Sequence, residues 1–250
     1  MVKQISVIIL TKNSQKYLKE CLFSLKDFSE IIVLDNGSVD NTIKIVQNFS
    51  NVKLIKHKFI GFGALRNIAI REATNNWILS IDSDEILSSK LINSIKKIDP
   101  KETCCVYGIL RDNYYKKKLI RCCGWYPDIV IRLFNKQHTN FNNNYVHESI
   151  ILKPETKKLI LAGTIKHYPF DCISSLINKM QQYSTLHVEQ TSKKSSPLKA
   201  VTRAIYTFLK NYIFQKGIFY GYEGLVISVS NANGVFYKYM KLYEKQKENQ

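Results

Sequence analysis

Residues 77–85 have the sequence Trp-Ile-Leu-Ser-Ile-Asp-Ser-Asp-Glu, a short apolar run that ends in three acidic side chains. A continuous apolar run of this length, closed by polar residues, is typical of a β-strand buried on both faces. The stretch therefore predicts a buried strand with carboxylates at its carboxyl end.

Three earlier segments have the same character, because residues 5–10, 31–34 and 52–55 are also short and apolar. Between them the apolar positions follow a helical period, for example in residues 17–25 and 64–73. An alternation of strands and helices predicts an α/β fold with a doubly wound, mostly parallel sheet and right-handed crossovers.

Polar side chains stand where these strands end. Thr11 and Asn13 follow the first strand, Asp35 follows the second, and Asp82 and Asp84 follow the fourth. Such residues also end strands simply because they form good turns. Their joint position at the carboxyl edge of a parallel sheet favours a ligand-binding cleft over that alternative.

The Asp82-Ser83-Asp84 triplet is a candidate cation site. Two carboxylates one residue apart suit Mg²⁺ or Mn²⁺, since hard cations prefer oxygen ligands. A cation that bridges a diphosphate neutralises charge as a nucleoside diphosphate departs. The triplet occurs often by chance, so its place after a buried strand is what makes it informative.

The chain is strongly basic, with a formal net charge of +17 over 250 residues. Residues 151–250 hold 15 Lys and Arg against 6 Asp and Glu, which is about half of that excess. A basic excess favours anionic partners such as phosphorylated substrates, nucleic acid or acidic lipid headgroups.

The six cysteines include no C-x-x-C pair, so neither a zinc ribbon nor a thioredoxin-like motif is expected. The adjacent pairs Cys104-Cys105 and Cys122-Cys123 are interpreted as small core residues rather than a disulfide frame, which fits a reducing cytoplasm. The apolar run of residues 5–10 is too short for an export signal, and polar and Gly residues interrupt residues 218–240. A protein that lies on a membrane is expected rather than one that crosses it.

The second half is less regular, with short apolar runs at residues 104–110 and 129–134 and helical character after Pro169. We expect a catalytic domain over residues 1–170 and a helical, basic region over residues 171–250. An apolar stripe at helical spacing comprises Leu198, Val201, Ile205, Phe208, Leu209 and Tyr212. This amphipathic helix either lies in a membrane interface or packs on the domain with a solvated basic face.

Several segments together resemble glycosyltransferase family 2. In the first half they are Ser6-Val7-Ile8-Ile9-Leu10-Thr11-Lys12-Asn13, Glu30-Ile31-Ile32-Val33-Leu34-Asp35-Asn36-Gly37-Ser38-Val39-Asp40, Gly61-Phe62-Gly63-Ala64-Leu65-Arg66-Asn67 and residues 77–85. In the second half they are Gly124-Trp125-Tyr126-Pro127-Asp128, Arg132-Leu133-Phe134, Val146-His147-Glu148 and His167-Tyr168. The second set is similar to the bacterial subgroup that adds glucose to the inner-core heptose of lipopolysaccharide. The resemblance implies a Rossmann-like GT-A fold and an inverting transfer.

The resemblance also implies which residues bind the nucleotide. Thr11 and Asn13 would line the uridine pocket, and Asp35 would hold the uracil or the ribose. At Asn36 the subgroup more often has serine, which is a conservative departure.

Four further positions would serve the rest of the donor. Arg66 and Asn67 would face the diphosphate or the donor sugar, and Asp82 would contact hydroxyls of the ribose or the sugar. Asp84 would bind the metal, either Mg²⁺ or Mn²⁺.

An inverting transfer needs a general base for the acceptor hydroxyl. Asp128 is the first candidate, because Trp125 and Tyr126 beside it would make a wall on which a sugar stacks. As an alternative, Asp128 is a turn residue after Pro127. Glu148 is the second candidate, and it is equally interpretable as an ordinary surface acid.

Three more residues are candidates for contacts with the donor or the metal. His147 would complete the metal shell or hold the diphosphate, although a lone histidine is often structural. Arg132 would stabilise the leaving diphosphate or else pack its stem beneath a strand. His167 is favoured less as a functional residue.

The function predicted is the transfer of a hexose, glucose from UDP-glucose, onto an inner-core heptose of lipopolysaccharide or lipooligosaccharide. An enzyme of another surface polysaccharide or glycan, with a different UDP-sugar, is the alternative. A nucleotidyltransferase would carry a Gly-rich loop after the first strand, and residues 10–14 contain no glycine. A basic membrane or nucleic-acid binding module does not explain Asp82 and Asp84, so no nucleic-acid partner is expected. The predicted partners are the UDP-sugar donor, a lipid-linked sugar acceptor and the acidic inner face of the cytoplasmic membrane.

Overall fold

The computed structural model describes residues 2–189, 191 and 194–248. The strands are β1 (Val2–Thr11), β2 (Phe28–Asp35), β3 (Val52–Lys56), β4 (Trp77–Asp82), β5 (Glu85–Leu87), β6 (Cys105–Tyr115), β7 (Lys118–Leu119), β8 (Ile129–Asn135) and β9 (Lys157–Phe170). The helices are α1 (Leu18–Ser24), α2 (Thr42–Val46), α3 (Phe62–Arg71), α4 (Ser89–Ile95), α5 (Ile173–Glu189), α6 (Pro197–Leu209) and α7 (Gly221–Glu248). A π-helical turn at Lys210–Phe214 and a 3₁₀ turn at Gly217–Tyr220 join α6 to α7.

The strands form one sheet in the order β3-β2-β1-β4-β8-β6-β9-β5, with β7 paired to β6. The first four strands are parallel, as the βαβ pattern of the sequence predicts. Beyond β4, strand β8 pairs with β4 in the antiparallel direction, and β6 pairs with β8 in the antiparallel direction. The prediction of an α/β, mostly parallel sheet with a helical C-terminal region is confirmed.

Apolar side chains cover both faces of the parallel strands, because successive residues of a strand point to opposite faces. From β1, Val7 and Ile9 pack on one face together with α1, α2 and α4. Ile8 faces the other side, where α3 contributes Leu65 and Ala69. Two buried faces explain why the strands are continuous apolar runs rather than alternating ones.

The chain divides into two compact units. The first ends at Asp112 and resumes over Asp128–His167, and the second comprises Asn113–Pro127 and the chain from Tyr168 onward. The second unit has its own core of Tyr115, Ile120, Cys122, Cys123, Leu176 and Ile227. Over the described residues, none of the helices combines the length and the apolar composition that a membrane span requires.

Candidate active site

The carboxyl ends of the four parallel strands meet at one edge of the sheet, which we call the acidic edge. Thr11 is in register with Asp35, Asp35 with Lys56, and Leu10 with Asp82. The residues predicted from three separate strands are therefore neighbours, as expected for the carboxyl edge of a doubly wound sheet.

Asp35 is held in one orientation by four donors. The Thr11 hydroxyl donates to Oδ1 over 3.1 Å, and the backbone N–H groups of Gly37 and Ser38 each donate to Oδ2 over 3.0 Å. The Ser38 hydroxyl donates to Oδ1 as well. Burial of the carboxyl opposes ionisation, but these hydrogen bonds outweigh it and lower the pKa of Asp35.

A cavity of about 410 Å³ opens beside Asp35. Its lining comprises Asp35, Asn36, Gly37, Ser38, Ile43, Lys56, His57 and Lys58. The basic group at residues 56–58, Lys56, His57 and Lys58, was not predicted as part of the site. The sequence does contain an indication of this group, because residues 56–58 directly follow the third predicted strand and therefore lie at the same edge of the sheet.

Asn13 has a left-handed backbone, with φ of 52°. Its backbone N–H donates to the Ser38 hydroxyl over 2.8 Å, and its Oδ1 accepts from the backbone N–H of Val39 over 2.9 Å. Asn13 thus ties the loop after β1 to the loop that carries Asp35. Its contact with a nucleotide stays a prediction.

Asp82 is clamped between two buried guanidinium groups. Arg66 donates from Nη2 to Oδ1 over 2.6 Å, and Arg132 donates from Nη2 to Oδ2. Burial alone would raise the pKa of Asp82, but the charges of Arg132 and Arg66 hold it well below its ordinary value. Asp82 is therefore a fixed, ionised carboxylate at the acidic edge.

Glu85 is a buried acid that the sequence analysis gave no role. Arg132 Nη2 donates to its Oε1, Arg111 Nη1 reaches the same oxygen at 3.3 Å, and the Asp82 backbone N–H donates to Oε2 over 2.9 Å. Arg111 also donates from Nε to Asp128 Oδ2 over 2.8 Å. Glu85 therefore links the Asp82 clamp to the predicted base Asp128 in one chain of ion pairs.

Asp84 lies beside a histidine rather than in a guanidinium clamp. His167 Nε2 is 3.6 Å from Asp84 Oδ2, because β5 pairs with β9 and places Glu85 opposite His167. No group of three or more His, Cys, Asp and Glu side chains that could hold a metal ion occurs among the residues described. One carboxylate and one imidazole still fit Mg²⁺ or Mn²⁺, since Mg²⁺ sites often use one or two carboxylates plus substrate phosphates.

The second predicted base, Glu148, accepts from Arg66 Nε over 3.1 Å. Arg66 also donates from Nη1 to the Ser80 hydroxyl over 2.5 Å. Both predicted bases are thus oriented by arginines of the same ion-pair system, and both side chains are partly exposed. The geometry supports Asp128 and Glu148 alike as candidate bases.

Asn67 contacts the loop of residues 141–149, and His147 lies on that loop. Asn67 donates from Nδ2 to the Phe141 carbonyl and to Asn143 Oδ1, each over 2.9 Å, and accepts from the Phe141 N–H. This holds the loop on α3. His147 is exposed on that loop, with φ of 57°. Its role toward the metal stays a prediction. The roles of Asn67 and Arg66 toward the donor also stay predictions.

A doubly wound sheet with fixed carboxylates and a cavity at its carboxyl edge is the arrangement expected of an α/β enzyme whose ligand site lies at that edge. A sequence model of glycosyl transferase family 2 matches residues 6–155. The chain belongs to glycosyl transferase family 2.

Individual relatives agree with this assignment. An uncharacterized glycosyltransferase of Rickettsia typhi is 30% identical over 97% of this chain and 88% of its own length. The lipopolysaccharide core biosynthesis glycosyltransferase LpsC of Rhizobium meliloti is 23% identical over 96% of this chain and 92% of its own length. Residues 1–349 of S. aureus TarS, solved in complex with UDP-GlcNAc, share the fold with a TM-score of 0.51 and 15% identity, over 99% of this chain and 92% of that one.

Proposed function

We propose that this glycosyltransferase transfers a hexose, glucose from UDP-glucose, with inversion onto a heptose of a lipopolysaccharide or lipooligosaccharide inner core. The acidic edge carries the proposal, since it combines the cavity at Asp35, the clamped Asp82 and the accessible Asp84. The relationship to LpsC, whose name states lipopolysaccharide core biosynthesis, supports the acceptor class.

The uridine is proposed to occupy the cavity beside Asp35. The carboxylate suits an N–H or a hydroxyl donor of the nucleoside, and its orientation is already set by Thr11, Gly37 and Ser38. Lys56 and Lys58 line the same cavity and supply positive charge for a polyanionic ligand. Because Asp35 needs no reorientation, little of the binding energy is lost in ordering it.

Asp84 and His167 are proposed to hold Mg²⁺ or Mn²⁺, with His147 as a further candidate ligand. Such a cation supplies charge neutralisation for the departing diphosphate. Asp82, fixed by Arg66 and Arg132, is proposed to bind hydroxyl groups of the ribose or the sugar. A carboxylate that cannot rotate positions its ligand more precisely than a mobile one.

The proposed chemistry is a single displacement at the anomeric carbon. The acceptor hydroxyl oxygen forms the new bond, its proton passes to the base, and the bond to the UDP oxygen breaks with its electron pair leaving on UDP. Asp128 or Glu148 accepts the proton. Arg111 orients the first carboxylate and Arg66 the second, and one displacement inverts the anomeric configuration.

The acceptor in this proposal is lipid-linked, so the enzyme is placed at the cytoplasmic face of the inner membrane, as a peripheral protein. The basic excess of residues 151–250 supports attraction to acidic lipids.

Calorimetric titration of UDP, with and without Mn²⁺ or Mg²⁺, tests the donor site. We expect metal-dependent binding by the wild type and at least about tenfold weaker binding by Asp84→Ala, which is about 1.4 kcal/mol. Asp27→Ala is the matched control, since Asp27 is an exposed carboxylate that pairs with Lys96. A screen of UDP-sugars for hydrolysis or transfer then identifies the sugar. Equal UDP binding by wild type and Asp84→Ala would exclude the proposed metal site.

A further inference from the structure

The helix α6 packs against α7 on one side and carries exposed apolar side chains on another. Ala200 of α6 is buried where this helix packs along α7, and Asn211 of the following π-helical turn is buried as well. Leu198, Val201 and Ile205 follow at helical spacing on the other side and are exposed, Leu198 by 74%. Of the stripe predicted from the sequence, Leu198, Val201, Ile205 and Leu209 are exposed, whereas Phe208 and Tyr212 are partly buried and stack on each other. Most of the stripe is therefore open to a partner such as a membrane surface.

The last residue of α6, the two turns after it and the start of α7 carry further exposed apolar side chains. Leu209, Ile213, Phe214, Ile218, Phe219 and Tyr222 are all exposed, and we call these six residues the hairpin tip. Phe214 is 80% exposed and Phe219 is 81% exposed. Two phenylalanines so exposed, in a segment with four further exposed apolar or aromatic side chains, are the kind of feature that marks an interaction site.

Close backbone packing inside the turn explains why these side chains point outward. A Cβ on Gly224 would lie 1.9 Å from the Gly217 carbonyl oxygen, and a Cβ on Gly217 would lie 2.9 Å from the Asn211 carbonyl oxygen. The interior of the hairpin is thus filled by backbone atoms. Large side chains in the turn have room only on its outer surface.

The charges around the hairpin tip have one sign. From residue 194 to residue 222 the chain contains five cations and no carboxylate. The cations are Lys194, Lys199, Arg203, Lys210 and Lys216. The next acid, Glu223, forms an ion pair with Lys118 at 2.8 Å.

We propose that the hairpin tip inserts its apolar side chains into the headgroup boundary of an anionic lipid bilayer, while the flanking cations bind the headgroups. Apolar side chains with adjacent Lys and Arg are the combination that holds helices in a membrane interface. Each cation near an anionic surface adds to the attraction, and each buried apolar group adds the hydrophobic term. This inference deepens the proposed function, since a lipid-linked acceptor requires the enzyme at a membrane.

A second copy of the chain fits this surface less well. A two-fold dimer places the same patch on both subunits, so the five cations of one copy would face those of the other without a carboxylate between them. A nucleic acid fits the cations, but it leaves the exposed aliphatic side chains without a partner.

Co-sedimentation of the full chain with vesicles tests the proposal. Vesicles of phosphatidylcholine alone are compared with vesicles that also contain phosphatidylglycerol, at low and high salt. We expect binding to the anionic vesicles that weakens with salt. The variant Phe214→Ser/Phe219→Ser should bind at least about tenfold more weakly, because it loses two large apolar groups. Arg203→Gln/Lys210→Gln should lose about fivefold for each charge removed.

Matched controls lie on the first unit. Ile160→Ser removes an exposed apolar side chain, and Lys97→Gln/Lys101→Gln removes two exposed cations. Both should bind vesicles as the wild type does. Wild-type failure to bind anionic vesicles, or equal loss in the controls, would overturn the proposal. A dimer in light scattering that Phe214→Ser/Phe219→Ser dissociates would assign the surface to a second copy instead.

These vesicles contain neither a UDP-sugar nor an acceptor, so they report on the hairpin tip alone. UDP titration in solution reports on the acidic edge alone. Vesicle binding without UDP binding would reject the transferase proposal and leave this inference standing, and the reverse result would reject only this inference.

Discussion

At the scale of single residues, the acidic edge depends on carboxylates whose charge is fixed by partners. Asp35 is ionised because four donors surround it, and Asp82 because two guanidinium groups flank it. Preset charges bind a substrate without the cost of reorganising the site at each turnover.

The hydrogen bonds to Asp35 make its contribution to stability dependent on pH. Its folded-state pKa is lowered, so this contribution is complete above the unfolded value of about 3.9 and is lost as pH falls through the folded value. We expect Asp35→Asn to be less stable than the wild type at pH 7, with a difference that shrinks below about pH 4. Urea denaturation of both proteins between about pH 3 and about pH 7 measures this difference in the free energy of unfolding. A stability difference that stays constant across that pH range would contradict the lowered pKa of Asp35.

Glu85 is expected to matter more for stability than an exposed acid. Burial raises the pKa of Glu85, and the variant Glu85→Gln leaves Arg132 paired with Asp82 and Arg111 paired with Asp128. The hydrogen bonds lost at the buried carboxylate should cost about 1–3 kcal/mol. The urea midpoint should fall accordingly. Glu72→Gln is the matched control, because Glu72 forms an exposed pair with Lys53 and should leave the midpoint unchanged. Equal urea midpoints for the two variants would show that the contacts of Glu85 add nothing to stability.

At the scale of elements, the site depends on how closely α3 approaches the 141–149 loop. The backbone N–H of Phe62 donates to the Tyr145 carbonyl over 3.0 Å, and that of Gly63 donates to the Asn144 carbonyl over 3.1 Å. Arg66, one turn further along α3, meets Glu148 of the same loop. The start of α3 and the loop therefore place the Asp82 clamp and one candidate base together.

Gly63→Ala tests this close approach through the sign of its effect. Alanine is a better helix former than glycine by about 1 kcal/mol, which alone would stabilise α3. The new Cβ would however lie 2.0 Å from the Asn142 carbonyl oxygen, so the loop must move and we expect destabilisation instead. In Gly234→Ala, the control in α7, the Cβ would meet only the flexible Met180 side chain at 3.1 Å. That variant should be neutral or stabilised in thermal unfolding, and a stabilised Gly63→Ala would refute the close packing.

At the scale of the whole molecule, two compact units carry different surfaces. The first contains the acidic edge, and the second contains the hairpin tip and its cations. The charge excess noted in the sequence is thus concentrated on the unit whose exposed apolar groups suit a bilayer. The nucleotide chemistry and the proposed membrane contact can be tested by separate variants for this reason.

The amino-acid sequence determined the order of strands and helices up to β4, the acidic edge and the family, because each depends on local patterns. Strands β5, β7 and β9 were not predicted. A strand buried on both faces must be a continuous apolar run, and a parallel sheet brings the ends of such strands together. Thr11, Asp35, Asp82 and Asp84 were accessible to sequence reasoning on that ground.

Only the tertiary structure decided the partners of those residues. The link through Glu85, the nearness of His167 to Asp84 and the lining of the cavity by residues 56–58 join segments far apart in the chain. The exposure of α6 was equally beyond the sequence, since an amphipathic pattern shows that a helix has an apolar side but not what covers it. How deeply a residue is buried depends on the packing of the whole chain, whereas a local pattern specifies only which side of a segment is apolar.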